Sequence, residues 1–223
     1  MCIDEKRGVI LKRPAEIAYE FMKERILDGV YHPSQKLIEN DLALEIGVSR
    51  NTVKKALLKL EQENLVVLEN NKGATIKSFS LDEISNYLKI REVLEGLIAS
   101  DAAKNITDAG IEELEKVLAE MKYNLQTMQF DAYSQGNLGF HDVIYRASNN
   151  QQAVDMVKII KQQLKRVQFK TILVPGRNEN SFEEHTAILE ALRSRDAERA
   201  EFELKKHVAN VRHTIVNHYN VLM

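Results

Sequence analysis

The sequence predicts a mainly α-helical protein with two domains and one short β-hairpin. Apolar residues recur every three to four positions through most of the 223 residues, which is the spacing of amphipathic helices. Two apolar runs, 65–68 and 74–76, flank a turn rich in Asn and Gly and are typical of paired strands. No comparable strand pattern follows residue 78. We therefore predict an amino-terminal domain of residues 1–78 and an all-helical domain of residues 79–223.

Three helices are predicted before the hairpin. Pro14 suits a first helical turn, because proline lacks the N–H that this turn leaves unpaired, and the helix ends at Asp28-Gly29. The second helix covers residues 39–46 and stops at Gly47, which can take the left-handed cap conformation. The third begins at Ser49, whose hydroxyl can accept hydrogen bonds from first-turn amides. The short connection between the last two helices is typical of a helix-turn-helix.

The third helix is amphipathic, with a basic outer face. Its apolar residues are Val53, Ala56, Leu57 and Leu60. Its basic residues are Arg50, Lys54, Lys55 and Lys59. The hairpin that follows turns through residues 69–73 and is expected to form a wing beside this helix. Together these elements predict a winged helix-turn-helix.

The second domain is predicted to be a bundle of about six helices. Ser80 precedes the first helix, and Asp82-Glu83 lies in its first turn, which is an amino-terminal capping pattern. The helical segments are residues 81–104, 111–125, 129–148, 150–172, 181–193 and 196–220. Gly136 and Gly139 leave one alternative open in the third of them. Close packing would explain both glycines, but the helix could also begin only near Leu138.

Composition limits the function classes. The net charge is −2, from 31 basic and 33 acidic residues, which excludes a generally basic nucleic-acid coat. Residues 1–78 hold 13 basic and 12 acidic residues, so any affinity for DNA must come from local clustering. No apolar run approaches the roughly 20 residues that span a bilayer, and the start of the chain lacks the apolar core of a signal peptide. We expect a cytoplasmic protein without a membrane partner.

The third helix is the candidate DNA-reading element. In a helix-turn-helix the second helix enters the major groove, where Arg can address guanine and Asn can address adenine. We expect its first residues to reach base edges: Arg50, Asn51 and Thr52. Lys54 and Lys55 are better suited to phosphates. Lys72 and Gly73 are placed at the wing tip, where charge and a missing side chain would favour close approach to a minor groove.

These residues resemble the winged helix-turn-helix of GntR-family regulators. The resemblance covers most of residues 14–77 and is carried by the segments 37–43, Gly47-Val48-Ser49-Arg50 and Ala56-Leu57, with Val53, Leu60 and Gly73. The chain departs from the family at Thr52-Val53-Lys54-Lys55, where Pro-Val-Arg-Glu is common, and at Asn40, where Arg is common. The family's operator preference therefore does not transfer.

The second domain resembles the all-helical FCD type of ligand-binding domain, found in the FadR-like branch of that family. Three segments carry the resemblance: residues 91–95, Phe140-His141, and residues 185–192 followed by Asp196, Ala200 and His207. In this family an Asp and three His hold a divalent metal, and a small carboxylate effector completes its coordination. The resemblance implies a metal site at Asn137, His141, His185 and His207.

The chemistry of these residues supports part of that expectation. Asn137 and His141 are four residues apart and share one face if their helix is continuous. Three neutral imidazoles suit Zn, Ni or Mn. Asn137 brings no charge where the family has Asp, so hard cations should bind less well. For the effector, Arg91 could bind a carboxylate, although an ion pair with Glu95 competes for it.

The sequence thus predicts a homodimeric transcription regulator of repressor type that binds operator DNA and a small, possibly carboxylate, effector. Dimerisation is expected because one recognition helix covers only half of a palindromic site. Two alternatives stay open. The effector could be an organic molecule bound without a metal, through Arg91 and polar residues such as Asn149. A zinc-dependent hydrolase is the other, although no recognisable catalytic motif accompanies the histidines.

Overall fold

The structure, a computed structural model, describes residues 13–69 and 73–222, and the side chains of these residues except at 166–169 and 221. The chain forms two compact units, and the boundary between them in the sequence lies between Phe79 and Ser80. The described helices are α1 Pro14–Leu27, α2 Glu39–Ile46, α3 Arg50–Gln62, α4 Leu81–Asn105, α5 Asp108–Gln126, α6 Phe130–Ser148, α7 Gln151–Lys170, α8 Arg177–Arg193, α9 Ala197–Asn217 and α10 Tyr219–Leu222. The mainly α fold class is confirmed.

The first unit combines α1 to α3 with a small antiparallel sheet. The strands are β1 Lys36–Leu37, β2 Val66–Glu69 and β3 Gly73–Ile76, in the order β1-β3-β2. The predicted hairpin is formed by β2 and β3, and β1 pairs with the other edge of β3. The core contains the fully buried side chains of Met22, Leu57 and Leu60. This packing holds α3 by its apolar stripe and leaves its basic face outward.

The local signals around α3 act as predicted. Gly47 ends α2 in the left-handed conformation, with a φ of 75°, where a side chain would be strained. The Ser49 hydroxyl accepts a hydrogen bond from the Thr52 N–H at 3.1 Å and caps α3. The turn between α2 and α3 is therefore fixed by backbone conformation and by capping.

The second unit is a helical bundle, as predicted. Helix α4 begins with a complete capping box formed by Ser80 and Glu83 and packs along α9. Helix α6 lies against both α4 and α5, and α8 packs on α9 and α5. Among the described residues, the largest fully buried side chain is that of Phe140, in the middle of α6. This arrangement surrounds the centre of the bundle with α4, α6, α8 and α9.

Three boundaries differ from the sequence-based expectation. Helix α8 begins at Arg177, four residues before the predicted start, directly after Gly176 in a left-handed conformation. The segment predicted as 150–172 ends in a 3₁₀ turn, Thr171–Leu173, and the last segment breaks into α9 and α10 at His218. Helix α6 is continuous from Phe130, so it does not begin at Leu138. Within the described residues, no helix has the length and apolarity needed to cross a bilayer.

Candidate metal centre and DNA-binding surface

Three histidines from three helices converge inside the second unit. His141 lies on α6, His185 on α8 and His207 on α9, and one ring nitrogen from each lies within 4.8 Å of the others. Their ring centroids are 5.5 Å apart for His141 and His185, 5.3 Å for His141 and His207, and 4.6 Å for His185 and His207. His141 and His185 are 44 residues apart in sequence, and His185 and His207 are 22 apart. The three rings therefore meet only because their helices pack together.

All three imidazoles are buried and held neutral. Burial, helped by the charge of Lys161, lowers the pKa of His141 to about 3. Burial also lowers the pKa of His185 well below its ordinary value, and the neighbouring histidines add to this effect. The pKa of His207 is lowered mainly by burial, against the opposing influence of Glu184. Neutral imidazoles are the form that binds metal ions.

The Nδ1 atoms of His185 and His207 are hydrogen-bonded to acceptors, and a carboxylate lies close to that of His141. His207 Nδ1 donates to Glu184 Oε2 at 2.7 Å, and His185 Nδ1 donates to the Ser181 carbonyl at 2.5 Å. His141 Nδ1 lies 3.2 Å from Glu95 Oε2, within ion-pair distance but without hydrogen-bond alignment. Acceptors of this kind fix the tautomer and the ring orientation of metal-binding histidines, because they keep the proton on Nδ1.

The remaining Nε2 atoms fit a divalent metal. His185 Nε2 is fully buried and has no hydrogen-bond partner among the described residues. A buried nitrogen lone pair without a partner is costly, and a metal ion would satisfy it. Asn137 lies one turn before His141 on the continuous helix α6 and is half-buried, so both residues share a face. The three imidazoles therefore fit a divalent metal, and Asn137 lies on the same face of α6 as His141.

Glu95 is the centre of a buried polar network that the sequence did not reveal. Its Oε1 atom accepts from Arg91 Nε at 2.7 Å, and its Oε2 atom accepts from the Tyr145 hydroxyl at 2.8 Å. Lys161 Nζ lies 3.3 Å from the same hydroxyl. The Arg91 charge keeps the pKa of Glu95 well below its usual value despite complete burial. Of the two roles expected for Arg91, the structure contains the ion pair with Glu95, which is buried and supports the carboxylate beside His141.

A second network supports His207. Glu184 Oε2 also accepts from Arg177 Nη2 at 2.9 Å, and Glu184 Oε1 accepts from Asn210 Nδ2 at 2.8 Å. Sequence reasoning missed Arg177 and Glu184, because no motif position marks them. The only indication of Glu184 in the sequence is that it directly precedes His185, the first residue of the segment 185–192 that resembles the FCD domain.

Asn149 does not belong to this cluster. It is exposed, and it ends α6 in a left-handed conformation with a φ of 58°. It lies eight residues beyond His141, about 12 Å along the helix axis. Asn tolerates the left-handed region better than most residues, so the helix end accounts for this residue type without an effector.

The outer face of α3 carries the residues expected to contact DNA. Asn51, Lys54 and Lys55 are exposed. Arg50 is 63% exposed at its side chain, and its Nε donates to Glu39 Oε2 at 2.7 Å. The carboxylate of Glu39, on α2, therefore orients the guanidinium of Arg50 at the start of α3. Thr52 is half-buried, and its hydroxyl lies 2.7 Å from that of Ser49, so it takes part in the cap.

The structure gives Gly73 a role in the sheet instead of a place at the wing tip. Gly73 is buried and pairs with Glu69 at the start of β3. A Cβ atom at this position would lie 2.2 Å from the Leu37 carbonyl oxygen, and its φ of 92° is strained for other residues. Glycine is thus required by the close approach of β1 and β3. Lys72, the other predicted wing residue, lies outside the described residues.

Comparison with known families accounts for both units. Residues 14–76 match the family described as bacterial regulatory proteins, gntR family, and residues 86–210 match the FCD domain. The second match alone covers more than half of the chain. Both matches lie within the two compact units.

Individual relatives agree with these matches. The transcriptional repressor RspR of Escherichia coli is 23% identical over 197 residues, which cover 88% of this chain and 86% of RspR. The gluconate operon repressor of Bacillus subtilis is 29% identical over 176 residues, covering 78% of this chain and 70% of that protein. The structure of E. coli McbR/YncC has the same fold, with a TM-score of 0.74 at 20% identity over 94% of this chain and all of the other.

These proteins are transcription regulators and not enzymes, so the hydrolase alternative is wrong. The chain belongs to the GntR family of DNA-binding transcriptional regulators, with a winged helix-turn-helix followed by an FCD domain.

Proposed function

We propose that this protein is a homodimeric, cytoplasmic repressor whose operator binding responds to a small carboxylate effector at a divalent metal centre. The observation that carries the proposal is the arrangement of the three histidines. Their Nδ1 atoms face the acceptors Glu95, the Ser181 carbonyl and Glu184, so their Nε2 atoms are left to bind a common ion. Repression is proposed because RspR and the gluconate operon protein are named as repressors.

The metal would be held by His141, His185 and His207, with Asn137 as a neutral fourth ligand. Imidazole-rich sites favour Zn or Ni, and the neutral amide of Asn137 makes Mn a weaker candidate. When bound, the ion supplies open coordination positions that oxygen atoms of a carboxylate can take. The chain's own residues orient the imidazoles and exclude bulk water, since the histidines and Glu95 are almost completely buried.

The operator would be read by α3 from each of two subunits. The orientation of Arg50 by Glu39 favours contact with guanine, and the exposed Lys54 and Lys55 are placed for phosphates. Two copies are proposed because a single recognition helix spans only a half-site. Light scattering during size exclusion should give about twice the chain mass of 25.5 kDa. A mass of one chain at micromolar concentration would contradict the dimer.

The effector would act by binding the free and the DNA-bound protein with different affinity. Only such a difference can change operator affinity, and the coupling must be equal in both directions.

Operator binding at defined metal content tests the proposal. The operator is first recovered by selection from random DNA, and its affinity is measured by fluorescence anisotropy. We expect the zinc-loaded wild type to change its operator affinity when organic acids are added, whereas chelator-treated protein and His185→Ala do not respond. A response of equal size in the metal-free protein would overturn the metal centre and favour an effector held by hydrogen bonds alone.

A further inference from the structure

A buried arginine beside the histidine centre has an unused donor. Arg177 is 6% exposed, and its Nη2 atom donates to Glu184 Oε2 at 2.9 Å. Its Nη1 atom is fully buried and has no hydrogen-bond partner among the described residues. Buried guanidinium N–H groups are almost always paired, because leaving them without a partner costs free energy. This donor is therefore available to a ligand.

The position of Arg177 connects this donor to the histidines. Glu184 Oε2 accepts from Arg177 Nη2 and also from His207 Nδ1 at 2.7 Å, so the guanidinium is two hydrogen bonds away from the imidazole ring. Glu184 thus places the guanidinium of Arg177 beside the histidine centre.

The charges of the two ion pairs beside the histidines balance. Arg91 is matched by Glu95, and Arg177 is matched by Glu184. Lys161 is only partly buried and faces the carboxylates of both Glu95 and Asp142. Asn137 adds no negative charge. A divalent ion at the histidines would therefore add two positive charges that these pairs do not offset.

We infer that the effector is a dicarboxylic acid, which places one carboxylate at the metal bound by the histidines and the other on Arg177 Nη1. This inference rests on the proposed metal centre. A dianion balances the charge of a divalent ion and gives Arg177 Nη1 an acceptor, whereas a monocarboxylate bound at the metal leaves Nη1 without one. Arg177 would therefore be the residue that makes the protein bind dicarboxylates more tightly than monocarboxylates.

Calorimetric titration of the zinc-loaded protein tests the inference with acids of matched length. Succinate and glutarate are compared with butyrate and valerate, on the wild type, Arg177→Gln and Arg193→Gln. Arg193 lies at the other end of α8, is more than half exposed and serves as the control. We expect the wild type and Arg193→Gln to bind at least one dicarboxylate about tenfold to a hundredfold more tightly than its monocarboxylate partner.

In Arg177→Gln we expect this preference to fall to within about threefold, because the dicarboxylate loses its second contact. Zinc content and melting temperature are measured for every variant. If Arg177→Gln does not fold, Arg177→Lys replaces it and should keep the charge but lose most of the preference. A zinc-loaded wild type that binds succinate and glutarate no better than butyrate and valerate would overturn the inference alone. A wild type that takes up no metal would overturn the proposed metal centre as well.

Discussion

At the residue scale, the proposed recognition of DNA depends on an arginine that another helix orients. Arg50 is largely exposed, and Glu39 holds its guanidinium through Nε. A preoriented side chain loses less conformational entropy when it binds a base. The sequence identified Arg50 from its place in the helix, but the contact with Glu39 depends on the packing of α2 against α3.

Replacing Arg50 with Ala should weaken binding to the selected operator by about 1–3 kcal/mol and relax the preference at one base pair. Lys54→Ala is the comparison. It should weaken binding to all DNA sequences by similar factors and reduce the salt dependence of affinity. Anisotropy titrations at several salt concentrations separate the two patterns. Unchanged operator affinity in Arg50→Ala would remove α3 as the reading element.

Glu184 is the second such residue, and the affinity of the proposed metal centre for zinc depends on it. It accepts the His207 proton at Nδ1, so it orients the ring and raises its basicity toward a metal. Glu184→Gln should therefore weaken zinc affinity about tenfold to a hundredfold. Glu190→Gln, a substitution on the same helix at a side chain that is 56% exposed, should leave zinc affinity unchanged. Competition with a chromophoric chelator measures both, and equal affinities in the two variants would contradict the orienting role.

At the scale of elements, helix α6 combines tight packing with a residue of the proposed metal centre. Gly136 lies where a Cβ atom would come within 2.6 Å of Met121 Cγ on α5, whereas a Cβ atom at Gly139 would meet nothing within 4 Å. Met121 is itself fully buried and has little space in which to move. Close packing against a neighbouring helix thus explains the first glycine and not the second.

Alanine substitutions at these two positions should have opposite effects. Gly136→Ala should lower the free energy of unfolding by about 1–3 kcal/mol, because the methyl group overpacks the contact with Met121. Gly139→Ala should raise it by about 0.5–1 kcal/mol, because alanine favours the helix. Urea unfolding of the two variants measures the difference. Stabilisation by Gly136→Ala would show that α5 and α6 do not pack as described.

Local signals predicted most elements because they act within a few residues. The cap at Ser49, the left-handed Gly47 and the capping box at Ser80 mark boundaries that the structure reproduces. Strand β1 was missed because two residues carry no periodicity and are ordered only by pairing with β3. The early start of α8 was missed for a related reason, since Arg177 joins the helix through buried contacts with Glu184.

The candidate site was predictable only in part. The three histidines were identified through the resemblance to a family, because their spacing alone does not indicate that they meet. Glu95 was identified only as a partner of Arg91, and Lys161 was not identified, since both join the site through contacts among three different helices. Such contacts exist only after the bundle has packed.

At the scale of the whole molecule, the buried histidines couple stability to pH. The pKa of His141 falls to about 3 in the folded protein, and that of His185 falls well below its ordinary value. In the unfolded chain both should titrate near 6.5, so the unfolded state binds more protons below this pH. The free energy of unfolding is therefore highest above pH 6.5, and it decreases as the pH falls from 6.5 toward the folded pKa values.

Metal-free protein should therefore lose about 3 kcal/mol of unfolding free energy between pH 7.5 and 5.5. The window lies above the ordinary pKa of Glu95 and Glu184, so their lowered pKa values contribute little to the change. Urea unfolding in the presence of chelator measures the loss. His141→Gln should reduce it by about half, and substitution of the exposed His213 by Gln should leave it unchanged. A pH-independent stability over this window would contradict neutral burial of the histidines.

The metal content of the purified protein tests the central claim most directly. Protein prepared without chelator is measured by inductively coupled plasma mass spectrometry, beside His141→Ala and the control His213→Ala. We predict close to one divalent ion per chain in the wild type and in the control, and loss of that ion in His141→Ala. A wild type that contains no metal and takes up none of added Zn, Ni or Mn would contradict the account of the histidine centre.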